Sequence, residues 1–132
     1  MPSHVDWVRG ICLSFPHVTE DIQWENNLLF RVAKKIFCLV PLEPQTAVKL
    51  SFKCTPEKFA ELVEVEGIIP APYMARNHWV SFVDLSALRQ NEIKDLIATS
   101  YHLVFEKLPK KTQVELVQPG RSKRTASAKK SK

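Results

Sequence analysis

The chain has 132 residues, 45 % of them hydrophobic and 25 % charged, with a formal net charge of +5. That length and composition describe one soluble domain able to bury a core, and they exclude a chain that is disordered throughout. No apolar run reaches the roughly 20 residues needed to cross a bilayer, and the N-terminus lacks the basic-then-apolar pattern of a secretory leader, so a cytoplasmic protein with no membrane partner is expected.

The charge is unevenly placed. From Gln118 onward six cations, Arg121, Lys123, Arg124, Lys129, Lys130 and Lys132, stand without an acid, which leaves 13 basic against 14 acidic residues before them. The excess therefore sits in the tail, and the overall charge says little about the folded body. Cys12, Cys38 and Cys54 are three in number, widely spaced and set in apolar sequence. Reduced, buried thiols fit that pattern better than a disulfide framework.

Ser3 followed by Asp6 makes a capping-box-like start, and Trp7, Val8, Ile11 and Phe15 then recur at helical spacing until Pro16. A short first helix with one buried stripe is expected. Val18 to Trp24 reads as a strand. Leu28 to Ala33 and Ile36 to Val40, separated by Lys34-Lys35, read as a hairpin. After a loop from Pro41 to Gln45, Val48-Lys49-Leu50-Ser51-Phe52-Lys53 alternates apolar and polar residues. Val48, Leu50 and Phe52 should point inward, with Lys49, Ser51 and Lys53 outward.

Thr55-Pro56-Glu57 is a helix start with an N-cap, a proline at the first helical position and an acid in the first turn; Phe59, Leu62 and Val63 form the stripe, and Gly67 is the expected terminator. Pro70 and Pro72 make a stiff connector carrying Tyr73, Arg76, His78 and Trp79 into an apolar strand that continues to Asp84. Asn91-Glu92 opens a last helix whose Ile93, Leu96, Ile97, Ser100, Tyr101 and Val104 keep one face until Pro109. Gln113 to Val117 reads as an extended segment.

Helices packed on one face of an antiparallel sheet follow from this order. If Val80 and Phe82 point inward, Trp79, Ser81 and Val83 point outward, onto the side of Lys49, Lys53 and Arg31. An exposed indole among cations suits base stacking and phosphate neutralisation. The competing reading makes Lys35, Lys49, Lys53 and Arg76 ordinary solvated charges and covers Trp79 with a neighbouring segment. Ser100 and Tyr101 lie on the buried stripe and read as structural.

The phrases Lys35-Ile36-Phe37, Leu50 to Lys53 with Thr55-Pro56-Glu57, Pro70-Ala71-Pro72-Tyr73-Met74, His78-Trp79-Val80, Ser100-Tyr101 with Val104, and Lys107-Leu108-Pro109-Lys110-Lys111 resemble the MmcQ/YjbR family over roughly residues 4–111. The resemblance implies an α+β, two-layer CyaY-like (frataxin-like) fold and a double-wing DNA-binding role. Residues 1–111 then form the domain, and 112–132 a C-terminal extension ending in a basic tail too polar to build a core.

Chemistry finds little foothold. His4, His17, His78 and His102 make no metal-ligand pattern with a spaced Cys or carboxylate, and glycine occurs only at Gly10, Gly67 and Gly120, so no phosphate-cradling loop is present. Cys54 beside Lys53 has no base in sight. No catalytic residue, metal or cofactor is expected. The expected function is non-enzymatic binding of nucleic acid, DNA above all, with little sequence preference. Arg31, Lys35, Lys49, Lys53, Tyr73, Arg76, His78 and Trp79 are its candidate site residues, together with the tail cations. The alternative is a protein-interaction module anchored on the same aromatic sheet face.

Overall fold

In the computed structural model, which describes residues 4–23, 26–43, 46–71 and 75–117, an antiparallel sheet of six strands has the order β1-β2-β3-β4-β6-β5. The strands are β1 (Val18–Gln23), β2 (Asn27–Val32), β3 (Lys35–Pro41), β4 (Leu50–Lys53), β5 (Ile68–Pro70) and β6 (Trp79–Phe82). Helices α1 (His4–Leu13), α2 (Pro56–Leu62), α3 (Gln90–Glu106) and α4 (Lys110–Val117) complete the described elements. This is the two-layer α+β architecture read from the sequence. Ser3, Tyr73 and everything from Gln118 onward lie outside the described residues.

Local chemistry explains the helix starts. Thr55 Oγ1 accepts from the Lys58 amide at 3.1 Å, with Pro56 at the first helical position, where its missing N–H costs nothing. At the head of α3, the Arg89 amide donates to the Glu92 carboxylate at 3.1 Å. Val8, Ile11 and Cys12 of α1 and Ile93, Leu96, Ile97, Ser100, Tyr101 and Val104 of α3 are buried at the spacing of one helical face. All but Ser100 meet Phe30, Val40, Leu50, Phe52, Val80 and Phe82 of the sheet in one apolar cluster. Cys12, Cys38 and Cys54 are free and buried, as expected.

A bulge resets the phase of β3. Phe30 pairs with Cys38 and Arg31 with Ile36, so Phe37 is the extra residue. Phe37 and Cys38 are both fully buried, and the Phe37 ring meets Phe15 at 6.1 Å and Tyr101 at 5.4 Å. Ile36 is thereby released to the opposite side. The β2–β3 hairpin turns through Ala33 and Lys34, both at positive φ, and the Arg31 guanidinium helps hold that turn by donating to the Lys34 carbonyl at 3.2 Å.

Three expectations need correction. Pro70 does not merely connect: it ends β5, a strand at the sheet edge, where a missing amide donor is tolerated. Gly67 does not stop α2, which ends at Leu62 with Val63 as its cap. Gly67 instead turns the chain into β5 at φ +97°, where a Cβ would sit 3.1 Å from the Asp84 Cβ. Residues 113–117 are helical rather than extended. The Gln113 side chain donates to the carbonyls of Glu106 (3.2 Å) and Leu108 (2.8 Å), so α4 is tied to the unsatisfied end of α3.

Candidate functional site: a lysine-lined cleft

The sheet splits between β3 and β4. Only Cys38↔Phe52 and Leu39↔Ser51 pair across these strands, and where the ladder ends the Ser100 hydroxyl takes its place. Its Oγ donates to the Phe37 carbonyl at 2.6 Å and accepts from the Lys53 amide at 3.1 Å, fully shielded from water. Beyond Ser100, a cleft of about 410 Å³ is lined by Lys35, Ile36, Lys53, Asn77, Trp79, Val104, Lys107 and Leu108. The strand ends, the last turns of α3 and the turn before β6 thus deliver three lysines and no carboxylate to one concave surface.

The turn that enters β6 positions two of these residues. Ala75–Asn77 form a single 3-10 turn and His78 follows at φ +65°, a left-handed conformation uncommon for a residue with a Cβ. The strain is held in place by the Cys54 amide and thiol, which both donate to the His78 carbonyl, at 2.9 and 3.3 Å. The imidazole packs edge-on against Phe59, ring centroids 5.6 Å apart. His78 is therefore a positioning residue of the turn. Its neighbour Asn77 turns a carbonyl to the Lys53 ammonium at 2.8 Å.

Electrostatics single out Lys53. Burial, and secondarily the charge of Lys107, hold its ammonium below the usual lysine range, with Cys54 acting in the other direction. Arg9, Arg31 and Lys58 by contrast each face a carboxylate, from Glu20, Asp21 and Glu61. Burial pushes the Cys54 thiol up to about 11, against the pull of Lys53 and Lys58, which is the reverse of an activated nucleophile. Among the described residues no group of three or more His, Cys, Asp or Glu is placed to hold a metal ion.

Of the residues singled out in the sequence, the structure gathers Lys35, Lys53 and Trp79. Trp79 takes the predicted side of its strand, opposite Lys53, yet it is only 6 % exposed, so the open indole expected there is absent. Alternation decides which side a residue takes, not what arrives to cover it; here Ile36, Val104 and Leu108 share the cleft wall with the indole. Ser51 and Ser81 on the same side are also buried, as is Leu29, so the second face is closed over the central strands. Arg31 is engaged at 3.1 Å with Asp21. Lys49 stands about 13 Å along the strand from Lys53, by the rise of about 3.3 Å per residue, and does not line the cleft. Arg76 is exposed and does not line the cleft, and Tyr73 lies outside the described residues, as do Arg121, Lys123, Arg124, Lys129, Lys130 and Lys132.

Sequence reasoning missed Lys107 and Asn77 as site residues. Lys107 had been legible only as part of a phrase carrying the family resemblance, and Asn77 acts through its backbone, which side-chain chemistry does not announce. The cleft residues in fact come from several of those phrases: Lys35-Ile36, Lys53, Trp79, Val104 and Lys107-Leu108.

Comparison with known proteins agrees with this fold. The family model described as YjbR matches residues 13–103. The uncharacterized protein YyaQ of Bacillus subtilis (strain 168) is 39 % identical over 54 residues, 41 % of this chain and 46 % of that protein, so the match spans less than half of that relative. The crystal structure of Deinococcus radiodurans protein DR2400, with family-model domain DUF419, superposes with a TM-score of 0.76 at 28 % identity, covering 87 % of this chain and 88 % of that one. A Pseudomonas syringae protein gives a TM-score of 0.61 at 23 % identity over 77 % of this chain and 98 % of its own, a likeness of fold alone. Among the described residues no helix is long and apolar enough to cross a membrane.

Proposed function

The chain belongs to the YjbR family, and for it we propose non-enzymatic binding of nucleic acid, DNA above all, with little sequence preference. The observation that carries this is the cleft itself, where Lys35, Lys53 and Lys107 converge without a carboxylate in the lining. Cations placed together repel one another, and a backbone phosphate is a natural counter-charge. The six cations beyond Gln118 supply attraction of longer reach and no base reading. Trp79 serves as a wall of the cleft rather than as a stacking platform, because its ring is covered. That burial also takes the aromatic anchor away from the protein-interaction reading.

The test is fluorescence anisotropy of labelled single- and double-stranded DNA at several salt concentrations. The full chain is compared with a variant carrying Lys35→Gln, Lys53→Gln and Lys107→Gln, and with one in which the tail cations are Gln. Counterion release gives a log–log slope of about −0.9 per phosphate neutralised on duplex DNA. Loss of the three cleft lysines should then flatten the slope by about 1 for each phosphate the cleft holds. Unchanged slope and affinity in that variant would remove the cleft from the reading and leave the tail as the binder.

A further inference from the structure

We propose that the lysine cleft is a receptor for a terminal phosphomonoester, carried by a free nucleotide or by the end of a nucleic-acid strand. This rests on the reading of the cleft as the anion site and deepens it.

Charge and donor count favour a monoester over an internal diester. A diester linkage carries one negative charge and two free oxygens, whereas a monoester carries about −1.5 to −2 and offers three oxygens. Three lysines line the cleft from three separate places: Lys35 at the start of β3, Lys53 at the end of β4 and Lys107 just past α3. Lys53 has three N–H donors and uses one on the Asn77 carbonyl, so two remain to turn toward an anion. Three lysines exceed one diester charge by two; a monoester narrows that excess to about one and offers one oxygen for each lysine.

Shape points the same way. The volume of about 410 Å³ lies in the lower part of the range of roughly 300–1,000 Å³ typical of small-molecule pockets. Apart from Asn77, the remaining wall is apolar, formed by Ile36, Trp79, Val104 and Leu108, and offers van der Waals contact to the sugar that follows a terminal phosphate. The basicity of Lys53 is depressed first by burial and then by Lys107, so an anion entering beside it favours its charged form.

Two other concave regions carry less. The groove between α2 and α3 sets Glu61, Glu92 and Asp95 against the single cation Lys58. The larger hollow beside His4, Trp7 and Arg89 has one cation and no convergence of charge.

The experiment uses the whole 132-residue chain and a short oligothymidylate with a 3′ dye, prepared with either a 5′-phosphate or a 5′-hydroxyl. Thymidine 5′-monophosphate and thymidine serve as competitors. The 5′-phosphate should strengthen binding about tenfold, the scale of the charge-assisted hydrogen bonds it adds. The monophosphate should displace the probe where thymidine does not. Both effects should vanish in Lys35→Gln/Lys107→Gln, substitutions at exposed positions that leave the core untouched. A 5′ effect without competition by the monophosphate identifies strand ends as the source, and competition without a 5′ effect identifies the free nucleotide; either supports the inference. Equal binding of both oligonucleotides with no competition overturns it. In that case, weakening of both probes by the variant still leaves the cleft as a diester site, whereas no weakening of either removes the anion reading as well.

Discussion

Along β4 and β6, the side chains facing the helices and those facing away are both kept from water, but by different chemistry. Toward the helices stand Leu50, Phe52, Val80 and Phe82, each fully buried, with the Phe52 and Phe82 rings 5.5 Å apart. On the other side the cross-strand partners are Ser51 with Ser81 and Lys53 with Trp79, and the two serine hydroxyls lie 2.7 Å apart. The first side is held by apolar area, which adds up over many weak contacts and has no partner to lose. The second is held by reciprocal polar pairing, which contributes modestly when complete and costs more when half of it is removed. The lysine at the end of that second side is the exception: it is only half-buried, and desolvation works against its charged form. That makes Lys53 the residue of this region whose presence asks for an explanation outside stability.

The contrast can be broken most severely on the apolar side. Phe52→Ala should lower the unfolding free energy by about 3–5 kcal/mol, as large-to-small changes in a packed core do. Urea denaturation measures it, and a loss under about 1 kcal/mol would mean that the aromatic pair is not packed as described. At the seam between the two sides, Ser100→Ala leaves the Phe37 carbonyl and the Lys53 amide without their shared partner. A loss of about 2–4 kcal/mol is expected for two orphaned buried groups. A nearly neutral result would show that water reaches the seam.

On the polar side, Ser81→Ala alone should cost about 1–2 kcal/mol by stranding the Ser51 hydroxyl, and Ser51→Ala/Ser81→Ala should recover most of that loss. An additive double mutant would deny that the two hydroxyls act as a pair. The smallest effect is expected at Lys53, and its sign is the informative part. The lysine's basicity is lowered in the folded state, so the charged form burdens the native protein at neutral pH; the burden shrinks as pH rises above the folded value and is gone above the ordinary 10.5. Lys53→Met should therefore keep or slightly raise the urea midpoint at neutral pH, with the difference from the wild type closing toward pH 10.5. Affinity for the phosphorylated oligonucleotide should fall in the same variant. A lowered midpoint, with the affinity unchanged, would return Lys53 to a purely structural role.

Much of the frame was legible from short-range patterns. The alternation from Val48 to Lys53 correctly sorted Leu50 and Phe52 from Ser51 and Lys53, and Thr55-Pro56-Glu57 marked the start of α2. Spacing along α3 named its buried face residue by residue. The site was legible only in part. Lys35, Lys53 and Trp79 were named, but as a flat, open surface, and the structure makes them walls of a cleft with Lys107 and the Asn77 carbonyl added.

What remained for the tertiary structure has a common cause. The bulge at Phe37 turns Ile36 to the cleft side, and no local period announces such a one-residue shift. The helicity of residues 113–117 leans on carbonyls left unsatisfied at the end of α3, which a reading of that segment alone does not contain. Lys53 is joined by Lys107 because the end of α3 arrives at the cleft from more than fifty residues away in the chain. By itself the sequence determined the elements, their inward and outward faces and the placement of its excess charge, since these follow from neighbours within a few residues. Only the packed chain decided what covers each face and which cations meet, because those depend on how distant segments fill the same space.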